Sequence, residues 1–172
     1  LVGKTWPLHL EKVTRVDPEE NLPMIADSVA FLHGEGKRVI YDAEHFFDAY
    51  AGDAAYALRC LGAAVEAGAE NVTLCDTNGA TLPGAVAEAT AAVVDELAGD
   101  VQVGIHTHDD AGCGVATSLV AVQRGARLVQ GTINGYGERC GNANLLTILA
   151  NLQLKLGYDC VEPERLARLT ET

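Results

Sequence analysis

The feature that most constrains the fold is a repeated unit in which a helical pattern ends at glycine and a short run rich in Val, Ile or Leu follows. Such runs predict strands over residues 38–41, 71–75, 101–105 and 128–133, and residues 1–4 are interpreted as the tail of one more. Strands that alternate with helices at this spacing connect by right-handed crossovers into a parallel sheet. The sequence therefore predicts an α/β fold.

The first helix between these runs has the clearest start signal. Asp17 stands at the N-cap and Pro18 at the first helical position. An apolar stripe at helical spacing follows, formed by Leu22, Ile25, Val29 and Leu32. Pro23 interrupts it, and a proline inside a helix costs about 3 kcal/mol unless the helix kinks. Three more helices are predicted, over 53–67, 83–97 and 114–124.

Among α/β folds, the pattern favours a (β/α)8 TIM-type barrel over an open doubly wound sheet. No G-x-G-x-x-G phosphate loop follows any predicted strand, and polar residues follow all of them. Barrel enzymes build their sites from the carboxyl ends of several strands. Because a complete barrel needs about 250 residues, we expect residues 1–172 to be a partial barrel of about five parallel strands. These would be strands 4 to 8, with the N-terminal strands and a C-terminal regulatory region outside the chain.

Composition excludes several classes of protein. A net charge of −12 repels a phosphate backbone, so nucleic acid is not an expected partner. It also disfavours anionic substrates unless a metal ion or local cations reverse the potential. No apolar stretch reaches the roughly 18 residues that a membrane span requires. The five cysteines form no C-x-x-C pair, which argues against a zinc ribbon or a disulfide framework and for a reducing, cytoplasmic location. The N-terminus has no Met and no signal pattern, so we expect the chain to start within a longer protein.

The sharpest chemical feature is the pair His106 and His108. Side chains alternate along a strand, so both imidazoles point to one side, where they can bind Zn, Mn, Fe or Co. Spacing alone is equally compatible with a hydrogen-bonded pair. Polar clusters at the other strand ends favour a shared metal-dependent site: Asp42 with Glu44, the D-T-N-G run from Asp76, and the glycine-rich residues 134–142.

Four stretches resemble, in order and spacing, the acyl-CoA-condensing barrel enzymes, the family of 2-isopropylmalate, homocitrate and citramalate synthases. They are Y-D-A-E-H-F-F-D from Tyr41, L-C-D-T-N-G from Leu74, H-T-H-D from His106, and G-T-I-N-G-Y-G-E-R-C-G-N-A-N from Gly131. The H-x-H and G-E-R-x-G-N motifs are specific to this family. The A-E-H-F-F-D and N-L-Q-L-K-L-G runs are most similar to members that condense pyruvate with acetyl-CoA to (R)-citramalate, on an isoleucine route.

The resemblance implies a role for six residues. His106 and His108 would ligate a divalent metal, Mn, Mg or Zn, and Asn142 would be a further oxygen ligand or close neighbour. The catalytic Glu44, the pocket residue Asp42 and the substrate-binding Thr77 complete the set. The family's D-x-T-L-R-D-G strand, which supplies an aspartate ligand and an arginine, is absent from these residues. Asp109 replaces the family's usual Asn and adds a negative charge, so we expect tighter cation binding.

The implied activity is an acyltransferase that uses acetyl-CoA and a small 2-oxo acid, in a homodimer of the full-length protein. Three alternatives stay open. The acceptor can be that of a 2-isopropylmalate or homocitrate synthase. The barrel can belong to a metal-dependent aldolase or lyase. The chain can also be a non-catalytic barrel fragment that associates through exposed strand edges. We expect the 172-residue chain by itself to show no turnover.

Overall fold

The computed structural model describes residues 1–97, 99 and 101–169. Its strands are β1 Val2–Lys4, β2 Ile40–Glu44, β3 Asn71–Asp76, β4 Gln102–Thr107 and β5 Leu128–Gln130. Its α-helices are α1 Pro7–His9, α2 Pro18–Gly34, α3 Phe46–Gly52, α4 Ala54–Glu66, α5 Pro83–Leu97, α6 Gly114–Gln123, α7 Leu145–Leu154 and α8 Pro163–Ala167. A π-helical turn spans Leu10–Thr14 and a 3-10 turn spans Ile133–Gly135.

The strands form one parallel sheet in the order β1-β2-β3-β4-β5, so each strand pairs with its neighbour in the chain. Crossovers that pass through helices produce this arrangement, and the sheet is a partial barrel. The predicted α/β fold with a parallel sheet is therefore confirmed.

Alternate residues of the strands divide the sheet into two faces. On one face lie apolar side chains that pack against the helices in the main core, among them Tyr41, Ala43, Val72, Leu74, Val103 and Ile105. Strand alternation places the intervening residues on the opposite face. That second face, which we call the lumen face, carries Asp42, Glu44, Thr73, Cys75, Gly104, His106 and Gln130.

Helix α2 begins where its sequence signals predict. The side chain of Asp17 accepts a hydrogen bond from the backbone NH of Glu19 at 2.8 Å. The helix continues through Pro23 to Gly34, so the proline does not end it. Ile25 and Val29 of the apolar stripe are buried against the core.

The strand boundaries that differ most from the prediction are those of β2 and β5. Strand β2 begins at Ile40 and continues to Glu44, which places the two acidic residues inside the strand. Strand β5 ends at Gln130, three residues before the predicted end. It stops there because residues 131–135 turn away from the sheet, and Asn134 takes a left-handed conformation with a φ of 58°.

Helices α3 and α7 were not predicted from the spacing of apolar residues in the sequence. Helix α3 follows β2 after a single residue, His45, whose φ of 57° turns the chain sharply from strand to helix. Helix α7 begins at a cap in which Asn144 accepts from the backbone NH of Leu146 at 3.1 Å. Its Ile148 and Leu152 are buried in a second apolar cluster. Within the described ranges, no helix is both long and apolar enough to cross a membrane.

Candidate metal-binding active site

The candidate site is built on the lumen face, at the carboxyl ends of the strands. His106 is the penultimate residue of β4, and His108 follows the strand by one residue. The Nε2 atoms of these two imidazoles lie 3.4 Å apart. The other nitrogen of His106, Nδ1, lies 2.8 Å from Oε1 of Gln130 on β5. The two rings therefore converge on one point through their Nε2 atoms.

His108 lies in a more enclosed environment than its partner. Burial, followed by the nearby His106 imidazole, lowers the pKa of His108 below its ordinary value, which favours the neutral ring. A neutral imidazole is the form that binds a metal ion. Its Nδ1 atom is buried and has no hydrogen-bond partner among the described residues.

Asn142 comes to this point from the glycine-rich loop after β5. It pairs with His108 in an isolated antiparallel bridge, and its Nδ2 donates to the carbonyl of Tyr136 at 3.2 Å. The amide oxygen Oδ1 is buried without a hydrogen-bond partner in the described part of the chain. Gly137 makes room for this side chain, because a Cβ there would overlap the Asn142 amide. The loop thus pairs the backbone of His108 with a residue whose amide oxygen is buried and unsatisfied among the described residues.

Asp42 is joined to the histidine pair through Gln130. The Nε2 of Gln130 donates to Oδ1 of Asp42 at 2.8 Å, and the same amide contacts His106 through its oxygen. Gln130 is a site residue that the sequence did not single out. Its signal was a polar residue inside an apolar parallel strand, where both faces are usually apolar.

Glu44 lies two residues after Asp42 on the same face of β2. It forms an ion pair with Lys4, the register partner on β1. Lys4 belongs to the strand tail that was predicted from the first four residues, but its role as a counter-ion was not predicted. The pair keeps the carboxylate at the edge of the lumen face.

Thr77 follows β3, and its hydroxyl contacts the turn after Glu44. Its Oγ1 accepts a hydrogen bond from the backbone NH of His45 at 2.8 Å. The His45 ring is fixed by Asp48, whose Oδ2 lies 3.0 Å from Nδ1. Thr77 is also held through its carbonyl, which accepts from Arg139 at 2.7 Å.

Arg139 and Asp110 connect the loop after β5 with the loop after β4. The guanidinium donates to both carboxylate oxygens of Asp110, at 2.8 and 3.0 Å. Hydrogen bonding to Arg139 lowers the pKa of Asp110. Asp109, in contrast, accepts from the backbone NH of Gly114 at 2.6 Å. Its carboxylate therefore stabilises the first turn of α6, and tighter cation binding through this charge stays a prediction.

The residues present fit a divalent cation. Within the described residues, no group of three or more His, Cys, Asp or Glu side chains is arranged to hold a metal ion. The Nε2 atoms of the histidine pair nevertheless offer two nitrogen donors 3.4 Å apart, and Asn142, which is bridged to His108 through the backbone, offers an amide oxygen. Of the two buried atoms that have no partner among the described residues, Asn142 Oδ1 belongs to this donor set, whereas His108 Nδ1 is the ring nitrogen that does not face His106.

Of the six residues singled out from the sequence, the structure connects Asp42, His106, His108 and Asn142 into one network. Glu44 and Thr77 lie beside it, at the ends of β2 and β3, without a hydrogen bond to the histidines among those described. A parallel sheet with helices on one face and polar side chains at its carboxyl edge defines the class of fold: a partial TIM-type barrel, in which the carboxyl ends of the strands are where barrel enzymes build their sites.

Comparison with known proteins identifies the family. The chain belongs to the HMGL-like family, whose model matches residues 1–171. It is 55% identical to the (R)-citramalate synthase of Synechocystis sp. over 178 residues, which cover 100% of this chain and 32% of that protein. It is 52% identical to the (R)-citramalate synthase of Aquifex aeolicus over 171 residues, 99% of this chain and again 32% of the relative. The resemblance found in the motifs is confirmed, and the chain spans about a third of these relatives.

Solved structures support the same fold. The HMG-CoA lyase of Bacillus subtilis superposes with a TM-score of 0.78 at 21% identity, covering 99% of this chain and 60% of that chain. At this identity, the likeness shows the barrel fold alone.

Proposed function

We propose that the complete protein containing this chain is an acyltransferase that condenses acetyl-CoA with pyruvate to (R)-citramalate. The observation that carries the proposal is the convergence of the Nε2 atoms of His106 and His108, 3.4 Å apart at the barrel edge, with Asn142 bridged to His108 through the backbone. The name of the relatives supports pyruvate as the acceptor. The corresponding route would be isoleucine synthesis.

His106, His108 and Asn142 would hold a divalent cation through two imidazole nitrogens and one amide oxygen. When bound, such an ion supplies Lewis-acid polarisation of a keto oxygen and a positive charge at the site. That positive charge would offset, at the site, the net charge of −12, which would otherwise repel an anionic 2-oxo acid. Asp42, on the neighbouring part of the lumen face, forms part of the pocket wall.

Thr77 is suited to bind the substrate carboxylate. Its oxygen accepts a hydrogen bond from the His45 NH, and its hydroxyl proton has no acceptor among the described residues. A hydroxyl in this state can donate to an oxygen acceptor such as a carboxylate. Thr77 would therefore orient the 2-oxo acid by donating to it.

Glu44 is proposed as a proton relay rather than as the base that deprotonates acetyl-CoA. Its ion pair with Lys4 holds the carboxyl group at the edge of the lumen face. In the overall reaction, the acetyl methyl carbon loses a proton and bonds to the keto carbon. The keto oxygen gains a proton, and water cleaves the thioester to release free CoA thiol. Glu44 would pass a proton between the reacting groups and solvent.

The test is release of free thiol from acetyl-CoA by the complete reading frame that contains this chain. Pyruvate, 2-oxoisovalerate and 2-oxoglutarate are compared as acceptors, and the proposal expects release with pyruvate. His108→Ala should abolish it, whereas His33→Ala, which removes an exposed imidazole on α2, should not. Release with a different acceptor would change the substrate, and no release with any of the three would overturn the synthase reading.

A further inference from the structure

We infer that Asp42, acting through Gln130, fixes the ring tautomer of His106 and so aims the lone pair of its Nε2 at the metal position. Asp42 and Gln130 are then positioning residues for His106. The inference about the tautomer stands on geometry alone, and only its consequence for metal binding rests on the proposed function.

The three side chains form a continuous hydrogen-bonded chain across the sheet. Gln130 is the register partner of His106 on the adjacent strand, so its amide lies beside that ring. The opposite end of the amide reaches Asp42 on β2, which is 88 residues away in sequence. Both contacts are 2.8 Å long.

The direction of each hydrogen bond follows from what the end group can do. Oδ1 of Asp42 accepts from Nε2 of Gln130, so the NH2 end of the amide faces the carboxyl group. The amide oxygen must then face His106 Nδ1. Because an oxygen acceptor needs a donor, Nδ1 carries the proton. A neutral imidazole has one proton, so Nε2 is left with its lone pair, directed toward His108.

The glycine at position 104 leaves room for the Gln130 side chain to reach Asp42. Asp42, Thr73 and Gly104 are consecutive register partners on β2, β3 and β4. A Cβ at Gly104 would lie 2.6 Å from Oγ1 of Thr73, which itself accepts weakly from the Gln130 amide at 3.4 Å. Glycine at this position thus leaves the lumen open for Gln130 to reach across two strands.

The arrangement resembles the general way in which proteins prepare histidine ligands. A metal-binding histidine commonly donates its other ring NH to an acceptor, and loss of that partner costs about 10–100-fold in metal affinity. Here the acceptor is the neutral side-chain amide of Gln130. Asp42 accepts from the NH2 end of this amide and so disfavours the flipped orientation, in which the NH2 group would face His106. Asp42 therefore acts on the ring without contacting it.

The experiment is nitrogen NMR of the complete protein with isotope-labelled histidine, freed of metal by a chelator and at a pH where imidazole is neutral. The His106 signals are assigned by their loss in His106→Gln. We expect the Nδ1–H tautomer in the wild type and in Gln130→Glu, which keeps an acceptor. We expect a shift toward the Nε2–H tautomer in Gln130→Leu, and a mixture in Asp42→Asn, because an amide at position 42 no longer dictates the orientation of Gln130.

Zinc affinity of the same proteins, measured by chelator competition, separates this inference from the proposed function. Gln130→Leu should bind zinc about 10–100-fold more weakly than Gln130→Glu. A wild-type protein with His106 in the Nδ1–H form that binds no divalent metal would support control of the tautomer by Asp42 and Gln130 and contradict the metal site. An Nε2–H form in the wild type, or an unchanged tautomer in Gln130→Leu, would overturn control of the tautomer by these two residues.

Discussion

Lys4 and Glu44 form an ion pair across β1 and β2, at positions that are partners in the parallel register. Their side chains are 27% and 22% exposed, so the pair is largely shielded from water. A shielded charge that loses its partner is costly, whereas an exposed one is solvated. The first strand therefore contributes a charge that the proposed catalytic carboxylate requires.

Replacing Lys4 by Met should destabilise the fold by about 1–3 kcal/mol, because the carboxylate of Glu44 is left without its cation. Lys4→Arg should retain most of the stability. The matched control is Lys12→Met, which breaks the exposed pair with Glu11 and should cost about 0–1 kcal/mol. Urea unfolding measures all three. Equal losses at Lys4 and Lys12 would show that the Lys4–Glu44 pair is not specially shielded.

Gly104→Ala should destabilise the sheet by about 1–3 kcal/mol, because the added Cβ would lie 2.6 Å from Thr73 Oγ1 and 3.0 Å from Asn71 Oδ1. The matched control is Gly62→Ala in the middle of α4, where a Cβ meets nothing within 4 Å. There the change should stabilise by about 0.5–1 kcal/mol through helix propensity. Thermal or urea unfolding tests the opposite signs. Stabilisation by Gly104→Ala would contradict the packing described.

Thr77→Val should lower the free energy of unfolding by about 1–3 kcal/mol, since the His45 NH then has no acceptor in a partly buried turn. It should also raise the KM for the 2-oxo acid if Thr77 binds its carboxylate. Thr77→Ser keeps the hydroxyl and should preserve both properties. Unfolding and steady-state kinetics on the same preparations separate the two effects, and a Val variant with wild-type stability and KM would remove both roles.

The buried carboxyl group of Asp76 should make the free energy of unfolding depend on pH. Burial raises the pKa of its carboxyl above the ordinary value of 3.8, although hydrogen bonds from Thr81 oppose the shift. The folded protein then holds this proton more tightly than the unfolded chain. Stability from this group is therefore greatest below the unfolded pKa, and it falls as pH rises through the raised folded pKa.

The comparison of wild type with Asp76→Asn isolates that effect. The free energy of unfolding of the Asn variant, relative to wild type, should rise over this acidic window and level off above it. Asp27→Asn, on the exposed surface of α2, is the control for removing one negative charge. A relative stability of Asp76→Asn that is flat with pH, or that falls, would contradict the raised pKa.

Much of the fold was predictable because it depends on local signals. Asp17, Pro18 and the apolar stripe define α2, and buried runs between glycines define the central strands. Helix α3 was not predictable from periodicity. It follows β2 after one residue, His45, which has a left-handed conformation. Histidine is not one of the residues, such as Gly or Asn, from which that conformation is usually predicted.

The site was predictable where chemistry lies in one motif, and not where it depends on register. Strand alternation alone places His106 and His108 on one side, and the structure brings their Nε2 atoms to 3.4 Å. The contact of Gln130 with Asp42 joins strands that are not neighbours, so no local pattern contains it. The position of Lys4 opposite Glu44 also depends on the register of two strands.

Titration of cobalt(II) into the complete protein that contains this chain, followed by its absorption spectrum, tests the proposed metal site most directly. We predict one saturable site with nitrogen ligands in the wild type and in His33→Ala. His106→Ala and His108→Ala should each weaken binding by more than the roughly 10–100-fold cost of losing an outer partner, while remaining folded. Wild-type affinity in both of these variants would contradict a metal site built on His106 and His108.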